Sequence, residues 1–237
     1  MCALLFQSIM EVLIVKKLGM ITIGQAPRTD IAPIIERYIA GRAELVQVGV
    51  LDGMTKEYIE RTLFPEKGDY VLTSRLVTGE SVVMSREKIK PILQEKITFL
   101  EQEGIEQILL LCTGVFPGLT TTTSYLIEPD HIIPPTVKAL VGKRRFGVIV
   151  PLEEQKETLY PKFSPFGLEP FFAVASPYNP NAADYAAAAV ELGEKVDMIL
   201  LDCMGYTEEA RELIARQTGL PVILSNAIMA KLVSEMI

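Results

Sequence analysis

Residues 105–114 read IEQILLLCTG and residues 196–205 read VDMILLDCMG, and this repeat decides the fold. In each copy an acidic residue and an apolar run precede a cysteine, any residue and a glycine. The run is too short for a helix and is bounded by turn residues, which is typical of a buried parallel strand that ends in a loop. The repeat therefore places Cys112 and Cys203 at equivalent strand ends of two related halves.

The repeat continues downstream at the same spacing. Residues 131–133 (HII), followed by PPTVKAL, align with residues 222–224 (VIL), followed by SNAIMAKL. Each copy predicts a short strand and then a helix, because proline suits the first helical turn and Ser or Asn suits the N-cap. We expect Pro134-Pro135 to begin one helix and Ser225 or Asn226 to cap the other.

Upstream, KLGMI at 17–21 aligns with RFGVI at 145–149, but at a wider spacing. The first half must therefore carry residues that the second half lacks, and we locate them at about 52–85. There, GDYVLTSRLVTGESVVMS contains alternating residues on either side of Thr78-Gly79, which predicts a β-hairpin.

Strands that alternate with helices imply parallel sheets with helices on both faces. We predict an α/β protein of two pseudo-symmetric lobes, each a parallel sheet flanked by helices, with the hairpin inserted in the first lobe. The first lobe covers 16–142 and the second covers 143–237, whose C-terminal helix is a candidate to pack back on the first. Ligands of such sheets bind beyond the carboxyl ends of the strands, so both cysteines would face one cleft. The predicted helices lie at about 29–41, 86–103, 153–160, 181–194 and 207–217.

The composition excludes several classes of function. A formal net charge of −7 argues against a nucleic-acid surface. Three cysteines without Cys-x-x-Cys spacing and one histidine offer neither a disulfide framework nor a zinc site, so we expect no metal. No G-x-G-x-x-G motif follows a strand, so we expect no cofactor. We interpret the histidine, His131, as a structural residue rather than a catalytic base.

Residues 1–15 are apolar, but no basic residues precede them and no small-residue cleavage site follows. The stretch is also too short to cross a bilayer as a helix. We therefore expect an extra N-terminal segment containing Cys2, no signal peptide, no membrane contact and a cytoplasmic protein.

Cys112 and Cys203 suit acid–base chemistry as a pair. A racemase without a cofactor needs a base on one face of a carbon and an acid on the other. Backbone N–H groups of a glycine-containing loop and a helix N-terminus can hold one sulfur as a thiolate. The alternative is that both cysteines are small buried hydrophobic residues.

Other residues near the strand ends are candidates for substrate binding. GQAPRTD at 24–30 follows the first strand, and Arg28 could clamp a carboxylate there. The alternative is a plain turn with Thr29 or Asp30 as N-cap and Arg28 solvated. Asp202 should point away from the cleft by strand alternation, and bond Thr207 or fix the loop. The predicted substrate-binding residues are Gln25, Arg28, Thr113, Gly114, Met204, Gly205, Ser225 and Asn226, the last two of which could equally be helix caps.

Five stretches resemble the AroM family, within the aspartate/glutamate/hydantoin racemase superfamily: TIGQAPRTD at 22–30, LDGM at 51–54, VIVPLEEQ at 148–155, LLDCMGY at 200–206 and LSNAIMAKL at 224–232. The resemblance runs from about Lys17 to the end of the chain. It implies the two-lobe fold and, as in racemase members, one cysteine on each side of an acidic carbon. The second cysteine of amino-acid racemases is followed by Thr and His, whereas Met204-Gly205 follow here, which is closer to hydantoin racemases.

Two classes of function remain. The first is a cofactor-independent isomerase or racemase that acts on a small carboxylate or carbonyl compound through both thiols, or through one of them in a cis–trans isomerisation or decarboxylation. The second is a non-catalytic small-molecule sensor or binding protein with a racemase-like cleft. The insertion at 52–85 is the candidate contact of a homodimer.

Overall fold

The computed structural model describes residues 16–237, and the expectations for residues 1–15 lie outside them. The first sheet is parallel, with its four strands in the order β2-β1-β5-β6. Its strands are β1 (Lys16–Thr22), β2 (Ala43–Gly49), β5 (Gln107–Leu111) and β6 (Tyr125–Ile127).

The second sheet repeats this arrangement, with the order β10-β9-β7-β8 and parallel pairing throughout. In each sheet the first strand lies between the second strand and the cysteine-bearing strand, and the last strand lies at the edge beyond it. This equivalence confirms the predicted pair of pseudo-symmetric lobes. The strands of the second sheet are β7 (Phe146–Val150), β8 (Phe171–Val174), β9 (Met198–Leu201) and β10 (Val222–Leu224).

The predicted insertion is present in the first lobe. Residues 50–85 separate β2 from the equivalent helix α3 (Arg86–Gln102), whereas only residues 175–181 separate β8 from α7 (Ala182–Gly193). The insertion contains helix α2 (Lys56–Thr62) and the antiparallel hairpin of β3 (Val71–Arg75) and β4 (Ser81–Ser85). The turn needs Gly79, whose φ of +92° lies in the left-handed region that side chains disfavour.

Helices cover both sheets, and one apolar core joins the lobes. This core runs from Ile35 of α1 (Ala32–Ile39) to Met229 of α9 (Ser225–Ser234), and Arg42 Nη1 also donates to the Ser234 carbonyl oxygen over 2.8 Å. The C-terminal helix therefore packs on the first lobe. The remaining helices are α1 (Ala32–Ile39), α3 (Arg86–Gln102), α4 (Pro129–Val141), α5 (Gln155–Thr158), α6 (Tyr160–Phe163), α7 (Ala182–Gly193), α8 (Glu208–Thr218) and α9 (Ser225–Ser234), with a 3₁₀ turn at Ser164–Phe166.

The prediction of a strand at residues 131–133 is wrong. These residues lie in α4, which begins at Pro129 rather than at Pro134-Pro135. The apolar positions Ile133, Val137 and Val141 are buried four residues apart, which is helical periodicity. The equivalent edge strand is β6, and the spacing changes because α8 separates β9 from β10, whereas only a loop separates β5 from β6.

Two smaller expectations also need correction. The helix predicted at 153–160 is two short helices, α5 and α6. Neither Thr29 nor Asp30 caps α1, whose N-cap position is Ile31 without a side-chain bond. Among residues 16–237, no helix has the length and apolarity needed to cross a bilayer.

Candidate active site

Both cysteines lie at the carboxyl ends of equivalent strands and line one small cavity. Cys112 follows β5 directly, and Cys203 lies two residues beyond the end of β9. Their exposed fractions are 7% and 9%, and the cavity between the lobes measures about 20 Å³. A volume of this order holds about one water molecule. A substrate therefore requires the cavity to open.

Each cysteine sulfur accepts a hydrogen bond from the backbone N–H of the glycine two residues later in the sequence. The distance is 3.3 Å from Gly114 N to Cys112 Sγ and 3.4 Å from Gly205 N to Cys203 Sγ. Both loops are crowded, since a Cβ on Gly114 would lie 2.7 Å from Leu72 Cδ2 and one on Gly205 would lie 2.7 Å from the Tyr178 ring. The expected contact between a loop N–H and a sulfur is thus present in both halves.

Within the described residues, Cys203 has an arginine nearby and a tyrosine hydroxyl within hydrogen-bond distance of its sulfur, whereas Cys112 has neither. The Tyr178 hydroxyl lies 3.3 Å from Cys203 Sγ, within hydrogen-bond distance. The Arg28 guanidinium carbon lies 5.8 Å from the centre of the Tyr178 ring, a cation–π geometry. The two cysteines therefore occupy equivalent positions in different electrostatic surroundings.

Burial dominates the acidity of both thiols. It raises the pKa of Cys112 to about 12, against the Gly114 N–H and the Lys162 charge, which lower it. Burial likewise raises the pKa of Cys203, although Tyr178, the Gly205 N–H and Arg28 oppose it. In this closed cavity both sulfurs are neutral thiols at pH 7, and the expected thiolate requires a change in solvation.

A buried lysine, which sequence reasoning missed, joins the two cysteine loops. Lys162 Nζ lies 2.8 Å and 2.7 Å from the carboxylate oxygens of Asp202 and 2.8 Å from the Thr113 carbonyl oxygen. The Asp202 carboxylate accepts bonds from Lys162 and so fixes the loop, whereas Thr207 caps α8 instead of bonding Asp202. Because these contacts join distant parts of the chain, no local sequence pattern signals them.

The predicted substrate-binding residues beside Cys112 and Cys203 fall into two groups. Thr113, Gly114 and Met204 line the small cavity. The Thr113 hydroxyl already donates to the Asp202 carbonyl oxygen over 3.1 Å, so it links the loops. Gly205 instead lines a larger neighbouring cavity of about 260 Å³.

Arg28 and Gln25 do not line the small cavity, and both are already engaged. Arg28 is buried rather than solvated, with Nε and Nη2 each 2.8 Å from an oxygen of Asp30. Burial alone would lower the pKa of Arg28, but the hydrogen bond and charge of Asp30 raise it above its usual range. The Gln25 side-chain amide forms hydrogen bonds with backbone atoms of Leu51, Met54 and Val77. These bonds hold the insertion against the loop at residues 24–30, which follows β1.

Ser225 and Asn226 also lie behind the site rather than in the cavity lining. They occupy the first positions of α9, and neither is its N-cap, so the capping alternative is wrong. Ser225 Oγ donates to the Leu201 carbonyl oxygen, and Asn226 Nδ2 donates to the carbonyl oxygens of Met204 and Tyr206. Their observed role is to hold the backbone of the Cys203 loop.

Solved structures with this architecture are enzymes of several kinds. An aspartate racemase from Picrophilus torridus is 13% identical, with a TM-score of 0.56 over 93% of this chain and 94% of its own. A maleate cis–trans isomerase from Nocardia farcinica with a covalently bound succinylcysteine intermediate is 12% identical, with a TM-score of 0.59 over 94% and 93%. An arylmalonate decarboxylase is 16% identical, with a TM-score of 0.57 over 93% and 91%. These likenesses show a shared Asp/Glu racemase-like fold.

No curated protein sequence is significantly similar to the chain. The family model described as AroM protein, in contrast, matches residues 18–237. That range includes both lobes, both cysteine loops and the insertion at residues 50–85. The chain therefore belongs to the AroM family, and its fold is Asp/Glu racemase-like.

Proposed function

We propose that the protein is a cofactor-independent isomerase or racemase that acts on a small carboxylate or carbonyl compound. The observation that carries this proposal is the shared cavity, which both thiols line from equivalent strand ends, each with a glycine N–H on its sulfur. One thiolate removes a proton from the acidic carbon, and the opposite thiol delivers its proton to the other face. The product has inverted configuration, and the two sulfurs have exchanged protonation states.

Opening of the cavity supplies the thiolate in this proposal. Desolvation is the largest cause of the raised pKa of both thiols, so entry of water and substrate lowers both values. The glycine N–H groups and the charges of Lys162 and Arg28 then act on a better solvated sulfur. The protein thus keeps both thiols unreactive until a ligand enters.

The larger cavity is the proposed route of entry. Tyr178 lines the small cavity, Gly205 lines the larger one, and the two residues are in contact. Displacement of the Tyr178 ring would join the two spaces. Arg75 lines the larger cavity and is partly exposed, so an incoming carboxylate could bind its guanidinium in place of Asp30, which lies 3.7 Å from it.

A one-cysteine reaction is the second candidate. The unequal surroundings favour it, because among residues 16–237 only Cys203 has a hydroxyl within hydrogen-bond distance of its sulfur, and Arg28 lies over the ring that carries this hydroxyl. In that reaction Cys203 alone is nucleophile or proton donor, as in a cis–trans isomerisation or a decarboxylation.

Isotope exchange distinguishes these functions. The protein would be incubated in deuterated buffer with panels of amino acids, hydantoins and dicarboxylic acids, and deuterium at carbon and product configuration would be measured. Two-thiol chemistry predicts that Cys112→Ser and Cys203→Ser each abolish racemisation, whereas one-cysteine chemistry predicts loss only in Cys203→Ser. Ser234→Ala, a buried substitution away from the cavity, is the control. Compounds that raise the melting temperature without exchange or turnover would instead support a binding protein.

A further inference from the structure

Two buried carboxyl groups and the histidine of the chain meet at the start of α4. Glu128 is the N-cap residue, and Asp130 and His131 lie in the first turn. His131 Nδ1 lies 3.6 Å from Glu128 Oε1, and His131 Nε2 lies 3.8 Å from Asp130 Oδ2. One ligand atom from each residue lies within 4.8 Å of the others. An imidazole offers one nitrogen to an ion, and two ligands of a tetrahedral ion stand about 3.4 Å apart, so side-chain rotation would have to bring one His131 nitrogen and one oxygen of each carboxylate to that separation.

The carboxyl groups are buried without adequate partners. The exposed fraction is 4% for the Asp130 side chain and 10% for that of Glu128. Asp130 Oδ1 and Glu128 Oε2 have no hydrogen-bond partner within residues 16–237. Buried polar atoms are nearly always hydrogen-bonded, and a buried charge is costly unless it is paired or binds a metal. Each carboxyl group therefore has one oxygen beside His131 and a second that is buried and unsatisfied, a deficit that a bound ion would remove.

Apart from His131, which is a cation only when protonated, no protein cation among the described residues forms an ion pair with the two carboxyl groups. Lys162 contributes charge at Asp130, but its ammonium is bound to Asp202 and to the Thr113 carbonyl. The His131 side chain is 70% exposed, so it can turn toward an ion at little cost. It would close the site on its solvent side and leave room for water as a further ligand.

We propose that Glu128, Asp130 and His131 bind one divalent transition-metal ion, with Zn²⁺ the best match. Two carboxylate oxygens and one imidazole nitrogen suit zinc, whereas calcium and magnesium prefer oxygen ligands. The site is separate from the cysteine cavity, whose lining includes none of the three residues. This proposal differs from the sequence-based prediction of no metal. That prediction rested on the spacing of cysteines and histidines, which does not reveal carboxylates that become buried in the fold.

Cobalt binding tests this site directly. Full-length protein, stripped of metal by chelation, would be titrated with Co²⁺, and its visible absorption followed, with Zn²⁺ then used to displace the cobalt. We expect one ion per chain, and at least tenfold weaker binding in both His131→Ala and Asp130→Asn. His131 is exposed, so His131→Ala should fold normally even if Asp130→Asn does not. Glu66→Gln, which changes an exposed acid elsewhere, is the matched control and should bind as the unmodified protein does.

A thermal readout gives a second test. Ligands that bind only the folded state stabilise it, so Zn²⁺ should raise the melting temperature of the unmodified protein and of Glu66→Gln, but not of His131→Ala. The proposal is overturned by the absence of metal binding or by equal affinity in His131→Ala and Asp130→Asn. It is equally overturned by sulfur-to-cobalt absorption that disappears in the Cys112→Ser, Cys203→Ser double variant.

Discussion

Lys162 and Asp202 form an ion pair that is almost completely removed from solvent and that joins the loops of the two cysteines. Their side chains are 1% and 0% exposed. The same ammonium bonds the carbonyl oxygen of Thr113, whose hydroxyl donates to the Asp202 backbone. Thr113 follows Cys112, and Asp202 precedes Cys203. The relative position of the two sulfurs therefore depends on one buried network.

Lys162→Met should destabilise the protein strongly. It leaves the Asp202 carboxylate buried without a counter-ion, and loss of one partner from such a pair costs about 3–5 kcal/mol. Lys162→Met combined with Asp202→Leu should recover most of the loss, because no charge then remains unpaired. Urea unfolding at pH 7 measures both. Arg145→Met, which breaks an exposed pair with Asp197, is the control and should change the free energy of unfolding little. A double variant no more stable than Lys162→Met would contradict the argument.

Gly205→Ala should disturb the Cys203 loop through packing. The new Cβ would lie 2.7 to 2.9 Å from atoms of the Tyr178 ring, which must move. Overpacking of this kind costs about 1–3 kcal/mol. Gly193→Ala is the control, because its Cβ would meet only Thr218 Cγ2, at 3.7 Å. Thermal unfolding should show a lower melting temperature for Gly205→Ala alone, and equal melting temperatures for the two variants would count against the crowding.

The stability of the protein should fall above about pH 8.5, where thiols of unfolded chains begin to ionise. Burial raises the pKa of Cys112 to about 12 in the folded state. Between these values the folded state holds a proton that the unfolded state has lost, so stability decreases as pH rises. Each thiol contributes up to about 1.4 kcal/mol per pH unit. The free energy of unfolding of Cys112→Ser should therefore decline less steeply between pH 8.5 and 9.5. Parallel curves for the two proteins would mean that the Cys112 thiol is not protected from ionisation.

The sequence predicts the positions of the two cysteines because the pattern Cys-x-Gly follows the same kind of apolar strand in both halves. It mispredicts residues 131–133 because a stretch as short as His-Ile-Ile fits a strand or a helix equally well, and Pro134-Pro135 resemble a helix start. It misses Lys162 and Tyr178 for another reason. Lys162 reaches the site from the short helix α6 and Tyr178 from the loop between β8 and α7, so their roles exist only once the two lobes have folded together.

Tyr178→Phe should make Cys203 a weaker nucleophile and leave Cys112 unchanged. Burial is the main cause of the raised pKa of Cys203, and the Tyr178 hydroxyl opposes it, so loss of the hydroxyl raises that pKa further. The ring keeps its size, and its contact with Gly205 is retained. Alkylation by iodoacetamide at pH 8.5, followed at each cysteine by peptide mass spectrometry, should be slower at Cys203 only. Cys112 in the same molecule is the control for opening of the cavity. Equal slowing at both sulfurs would indicate altered opening instead, and an unchanged rate at Cys203 would mean that the 3.3 Å contact does not affect its thiolate.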